Sequence, residues 1–127
     1  MTASISDRVT LVEILERTRP YEEFTTALEA ATTRLEAEGI QTLVALQFYA
    51  DPESTEVGGV LTFADHRHFM EHVHMITAWP EFKHLLSTVK PIDVKVYGRL
   101  SAEAREWLGN INVLSKTFEH PVAGFVR

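Results

Sequence analysis

The hydrophobic pattern of this chain predicts an α+β fold of order β-α-β-β-α-β with a C-terminal extension, built as one domain over residues 1–127. Three observations carry that expectation. Short, β-branched apolar runs alternate with stretches whose apolar residues recur at helical spacing. No Pro/Gly-rich linker or low-complexity tract divides the sequence. Finally, 127 residues are enough to bury about two-thirds of the surface that the unfolded chain exposes.

Residues 8–16, RVTLVEILE, are apolar on both alternating sets, Val9/Leu11/Leu15 and Val12/Ile14, which reads as a strand covered on both faces. Over residues 18–39 the period becomes helical. Thr18 is the expected N-cap, Pro20 stands in the first turn, Phe24, Leu28, Ala31 and Leu35 form the apolar stripe, and Gly39 stops the helix. Residues 40–50 form a second strand. DPESTE is a turn by composition, and residues 57–64 return as a third strand, most simply in an antiparallel hairpin. Gly58-Gly59 marks a bulge or a close backbone approach in that strand rather than a nucleotide site. Asp65 caps a second helix, and Pro80 opens its continuation, PEFKHLLSTV. Residues 91–100 alternate, with Ile92, Val94 and Val96 on one side and Asp93, Lys95, Tyr97 and Arg99 on the other. Residues 101–127 are the extension: a short helix over 101–110 with Ser101 as its cap, then a tail that supplies an edge strand or an arm.

This order is the ferredoxin-like split unit, in which two helices cover one face of a four-stranded antiparallel sheet. The other face would carry Val12, Ile14, Leu43 and Ala45 among Thr10, Gln47 and Tyr49. An apolar face of that size needs a cover, and a second copy packed sheet to sheet in a symmetric homodimer provides one. Tyr97 and Arg99 would stand in that interface.

Charge and composition narrow the function classes. Twelve basic against 18 acidic side chains give a formal net charge of −6, with no basic stripe, so no nucleic-acid partner is expected. The absence of cysteine removes disulfides, thiolate nucleophiles and sulfur-ligated metals. No apolar run approaches the ~20 residues that cross a bilayer, and MTASISDRVT lacks a secretory pattern. No membrane partner and a cytoplasmic location are therefore expected. Phosphate loops, Ser/His/Asp order and paired carboxylates are likewise missing from the sequence. Glu22, Glu23, Glu36 and Glu38 read as a solvated helix face.

The stretch from Glu36 to Gly98 resembles the antibiotic biosynthesis monooxygenase-like family of small dimeric α/β-barrel proteins. The likeness rests on Gly39 at the end of the first helix, the Asp51-Pro52 turn, Phe63 at a strand end, Phe69 followed by His72, Glu81-Phe82, and the last strand at Val94 to Tyr97. It covers roughly residues 8–100. It implies a homodimer with a cavity in each protomer between sheet and helices. It also implies oxygen chemistry on a small aromatic or quinol-type molecule with no cofactor. Many members have no established activity, so a non-catalytic dimer that binds a hydrophobic molecule is the alternative. Haem-degrading relatives use an Asn, a Trp and a haem-ligating His. Here His84 falls near that His, His72 stands at about the Trp position, and residues 8–16 contain no Asn.

DHRHFMEHVH places four of the six histidines, His66, His68, His72 and His74, in ten residues. At 100° per residue, Phe69, Met70, Val73 and Ile76 face the sheet and His72 lies at their edge, with His68, Met75 and Trp79 beyond it. His68 and His72 have the i,i+4 spacing of two metal ligands, but no third ligand is at hand and no metal is expected. A rim imidazole that titrates near neutrality suits proton transfer to or from a substrate, making His72 the candidate catalytic residue. Its structural alternative is an imidazole satisfied by a backbone carbonyl. Phe48, Phe63, Phe69, His68, Ile76, Trp79, Phe82 and His84 are the candidate pocket residues, several of which serve equally well as plain core.

Overall fold

A computed structural model describes residues 8–39, 43–111 and 114–125. In chain order the elements are β1 (Val9–Arg17), α1 (Tyr21–Arg34) running into a π-helical turn (Leu35–Gly39), β2 (Ala45–Ala50), β3 (Glu56–Phe63), α2 (His66–Ile76), α3 (Pro80–Leu86), β4 (Val89–Tyr97), α4 (Ala102–Asn110) and β5 (Leu114–Phe118). Strand order is β2-β3-β1-β4-β5. The first four strands pair antiparallel, as the split unit requires. The tail turns the expected four-stranded sheet into a five-stranded mixed one, because β5 pairs parallel with β4. A parallel neighbour cannot be reached by a tight turn, and α4 supplies the crossover. Tyr97 and Phe118 stack across this last pair with ring centroids 5.3 Å apart.

Several local signals act as expected. Asp65 accepts hydrogen bonds from the N–H groups of Arg67 and His68 at the start of α2, and Ser101 accepts from the Ala104 N–H at the start of α4. Pro80 opens α3. Others differ. Helix α1 starts at Tyr21 after Pro20, with no side-chain cap; the Thr18 N–H instead donates to the Thr88 carbonyl at 2.9 Å, tying the end of β1 to the start of β4. Of the second expected strand, residues 40–42 lie outside the described residues. Leu43 precedes the strand and packs against the core rather than on the uncovered sheet face. Ile92 does not share the buried side with Val94 and Val96. Ile14 pairs with Asp93 and Leu15 with Pro91, so Ile92 falls in a bulge and is exposed. Arg99 lies beyond the end of β4.

The helix-covered face of the sheet can be read as three cross-strand rows. Leu46, Leu61, Leu11 and Val96 form one; Ala50, Val57, Leu15 and Pro91 form another. Between them runs Phe48, Gly59, Glu13 and Val94. The apolar core divides along this middle row. One cluster gathers Leu11, Leu61, Phe63, Phe69, Val73 and Val96 beneath α2 and α4. The other gathers Leu15, Phe24, Ala27, Ala31, Val57 and Leu85 beneath α1 and α3. Phe48 packs against both.

Candidate functional site

Position 13 is in phase with Val9, Leu11 and Leu15, so strand periodicity directs its side chain to the helix-covered face. Burial raises the Glu13 carboxyl from 4.5 to about 7. No hydrogen-bond donor or cation among the described residues offsets that desolvation. The hollow that holds it exists because its partner on β3 is glycine. A Cβ at Gly59 would stand 2.7 Å from Phe48 Cε1 and 3.1 Å from both Cγ and Oε1 of Glu13. The glycine pair thus marks a close approach, by side chains rather than backbone, and pairing through Gly58 and Gly59 is regular, without a bulge. A Cβ at Gly58 would meet nothing within 4 Å.

Phe48 also lines a cleft of about 300 Å³ between α1 and β2, together with Leu28, Glu29, Thr32, Thr33 and Leu46. A second hollow of about 200 Å³ shares Thr32 and Leu46 and extends to Leu35 and Leu43. Phe48 therefore borders both the cleft and the hollow over Gly59 that Glu13 enters.

Helix α2 buries Phe69, Met70, Val73 and Ile76, the four residues expected on its apolar face. His72 is buried with them, at 3% exposure, instead of standing at the rim. Its ring meets Phe63 edge-on at 5.3 Å, and Phe63 meets Phe69 at 5.2 Å. Burial lowers the imidazole from 6.5 to about 4, so it is neutral at pH 7 rather than poised to titrate there. His68 is held by Asp65, Nδ1 to Oδ1 at 2.8 Å, and His74 by Glu103, Nε2 to Oε2 at 2.9 Å, while His66 is exposed. Among the described residues, no three His, Cys, Asp or Glu side chains converge as metal ligands would.

Of the expected pocket residues, Phe48 lines the cleft. Phe63, Phe69, Ile76 and Trp79 are buried in packed surroundings. Trp79 lies beneath the Arg34 guanidinium, 4.4 Å above its ring, and Arg34 Nη1 reaches Glu81 at 2.8 Å. Phe82 is half-buried, and His84 is exposed on α3. Sequence reading missed Glu13, along with Leu28, Thr32 and Leu46 as cleft walls and Trp107, which packs edge-on against Phe69 at 5.9 Å. A signal for Glu13 was present: it is the one charged residue in the set Val9, Leu11, Glu13, Leu15.

Its α+β, ferredoxin-like fold is shared by the antibiotic biosynthesis monooxygenase-like proteins found among its structural neighbours. MupZ from Pseudomonas fluorescens matches with a TM-score of 0.68 at 11% identity, over 93% of this chain and 95% of that one. A match that wide leaves too little of the chain unpaired to omit the 101–127 extension. SnoaB, a cofactor-independent oxygenase from Streptomyces nogalater, matches with a TM-score of 0.58 at 14% identity, over 76% of this chain and 96% of that one. A candidate antibiotic biosynthesis monooxygenase from Caulobacter crescentus CB15 gives 0.56 at 12%, over 77% and 94%. At such identities the likeness is one of fold. No family model and no curated protein sequence matches the chain. Among the described residues, no helix is long and apolar enough to cross a membrane.

Proposed function

We propose that this chain forms a homodimeric, cofactor-independent monooxygenase-like protein that takes a small aromatic or quinol-type molecule into the cleft between α1 and β2. The observation that carries the reading is the cleft itself. Its space is about 300 Å³, roughly twice that of a cavity that takes up benzene. Leu28, Leu46 and Phe48 give it an apolar lining, and the Phe48 ring also borders the hollow that holds the half-buried Glu13. Deprotonating a phenol or hydroquinone in such surroundings leaves an electron-rich anion that can give an electron to O2. His72, neutral at pH 7, contributes a packed imidazole to the same layer.

The sheet face away from the helices supports the dimer. Tyr49 is 61% exposed, and Tyr97 and Phe118 are 46% exposed each, with Val12 and Ile14 half-buried between them. Such a face buries well against its own copy. Oxygen uptake with a panel of hydroquinones tests the chemistry, and sedimentation at micromolar concentration tests the dimer. Uptake above the uncatalysed rate and a two-chain species are expected. Binding of the panel without uptake would favour a ligand-carrying dimer, and a monomer would remove the homodimer.

A further inference from the structure

We propose that Glu13 is the proton acceptor of the cleft, and that Phe48 is the gate past which a small hydroxyaromatic reaches it. This inference rests on the aromatic-ligand reading above and names the residue that would carry its first step. Three observations meet at one point. Glu13 stands in the middle row of the covered face, where the apolar core divides in two. Gly59 leaves a hollow above its own α-carbon, and the Glu13 carboxyl and the edge of the Phe48 ring fill it together. The same ring forms a wall of the cleft. The Phe48 ring thus links the cleft to the hollow that holds the carboxyl, and turning that ring is the route by which a ligand in the cleft would reach it.

Among the described residues, the neighbours of Glu13 bring it no charge. Gly59 faces it from β3, Phe48 from β2 and Val94 from β4, and α1 presents Phe24, Ala27 and Ala31 to the adjoining cluster. The acid of the cleft itself, Glu29, lies on its exposed wall. A half-buried carboxyl with no donor among the described residues is costly to keep unless it is used, since leaving a polar group unpaired in poorly solvated surroundings opposes folding. The buried Thr88 hydroxyl, by contrast, is paired and donates to the Leu85 carbonyl at 2.6 Å.

The step is a simple transfer. The phenol O–H bond breaks, an O–H bond forms on the Glu13 carboxylate, and the electron pair stays on the phenolate oxygen. One negative charge moves from one oxygen to another, and none is created. Transfer to a neutral imidazole such as His72 would instead create a cation and an anion together in a poorly solvated layer. Titration near neutrality also keeps a useful fraction of the carboxyl ionised at pH 7, the condition a general base needs.

The probe is 4-nitrophenol, whose phenol and phenolate absorb at different wavelengths. At pH 7, where a useful fraction of Glu13 is ionised, the wild-type protein is expected to bind the probe largely as phenolate, and E13Q to bind it as phenol with at least a ten-fold smaller bound-phenolate band. F48A is expected to speed both association and release without changing the protonation state of the bound probe. Carboxyl-detected NMR of the wild-type chain provides a readout free of substitution, in which the Glu13 signal moves to its protonated position when probe is added. An equal phenolate band in E13Q, or a Glu13 signal that stays put as probe binds, overturns the inference and leaves the aromatic-ligand reading standing. Absence of binding by 4-nitrophenol and by every hydroquinone of the panel overturns both.

Discussion

Replacing Glu13 by Gln removes one proton-binding site from the layer between sheet and helices while keeping its shape. Burial raises the carboxyl from 4.5 to about 7. At about 1.4 kcal/mol per pH unit, that makes its ionisation about 3 kcal/mol costlier in the folded chain than in the unfolded one. The folded pKa lies above the unfolded one, so the stability it contributes is whole below pH 4.5 and is lost as pH rises through about 7. His72 has the opposite sign. Burial lowers it from 6.5 to about 4, so its contribution is whole above pH 6.5 and is lost as pH falls toward 4. Its span is again about 3 kcal/mol. Between pH 4.5 and 6.5 the two slopes cancel, while Asp65, pulled down to about 2, titrates below this window. Glu13→Gln breaks the balance. The variant should match the wild type near pH 4.5 and exceed it by about 3 kcal/mol at pH 8. Urea unfolding at half-unit pH steps, followed by the fluorescence of Trp79 and Trp107, measures this directly. Midpoints of variant and wild type that coincide from pH 4.5 to 8 would refute the burial of an uncompensated carboxyl.

The glycine pair offers a contrast within one strand. Gly59→Ala drives a methyl into the Phe48 ring and the Glu13 side chain and should cost about 1–3 kcal/mol, whereas Gly58→Ala meets open space and should be neutral or stabilising by roughly 0.5 kcal/mol. Thermal unfolding of the two variants side by side checks both. Asp65→Ala should lose about 1 kcal/mol with the N-cap of α2, read by thermal unfolding, because the Arg67 and His68 N–H groups lose their acceptor. Arg34→Met keeps the aliphatic stem but removes the cation over Trp79 and the bridge to Glu81. A small loss of stability and a change in tryptophan emission are expected.

The sequence carried the signals that local physics sets. Asp65 and Ser101 are caps because their side chains accept the first free N–H groups of a helix, and Pro80 opens one because its missing N–H goes unmissed there. Phe69, Met70, Val73 and Ile76 announced a face by spacing alone. Tertiary geometry withheld the rest. Whether His72 lies at the rim or inside depends on Phe63 at the end of β3 packing against it, which no helical wheel contains. Ile92 looked like one more alternating residue until the pairing of Leu15 with Pro91 pushed it into a bulge. The partner of β5 could not be read from its own residues, because the sequence of a short strand does not say whether it joins a sheet or forms an arm. The cleft was hidden for a similar reason: it joins residues some twenty positions apart on α1 and β2.

Glu13 is the instructive case, because its signal was local and was still passed over. In RVTLVEILE the eye completes the apolar set Val9, Leu11, Leu15 and treats the acid between them as noise. Strand geometry allows no such exemption, since a residue two places from Leu11 and two from Leu15 shares their face. A sequence tuned only for stability would place Val or Ile there and fill the hollow above Gly59, joining the two core clusters into one. Instead, a small residue opposite, an aromatic ring beside it and an open cleft beyond all accommodate a carboxyl. Two positions, Gly59 and Phe48, accommodate one unfavourable group beside an open cleft, which makes an accident of packing a poor account of the row.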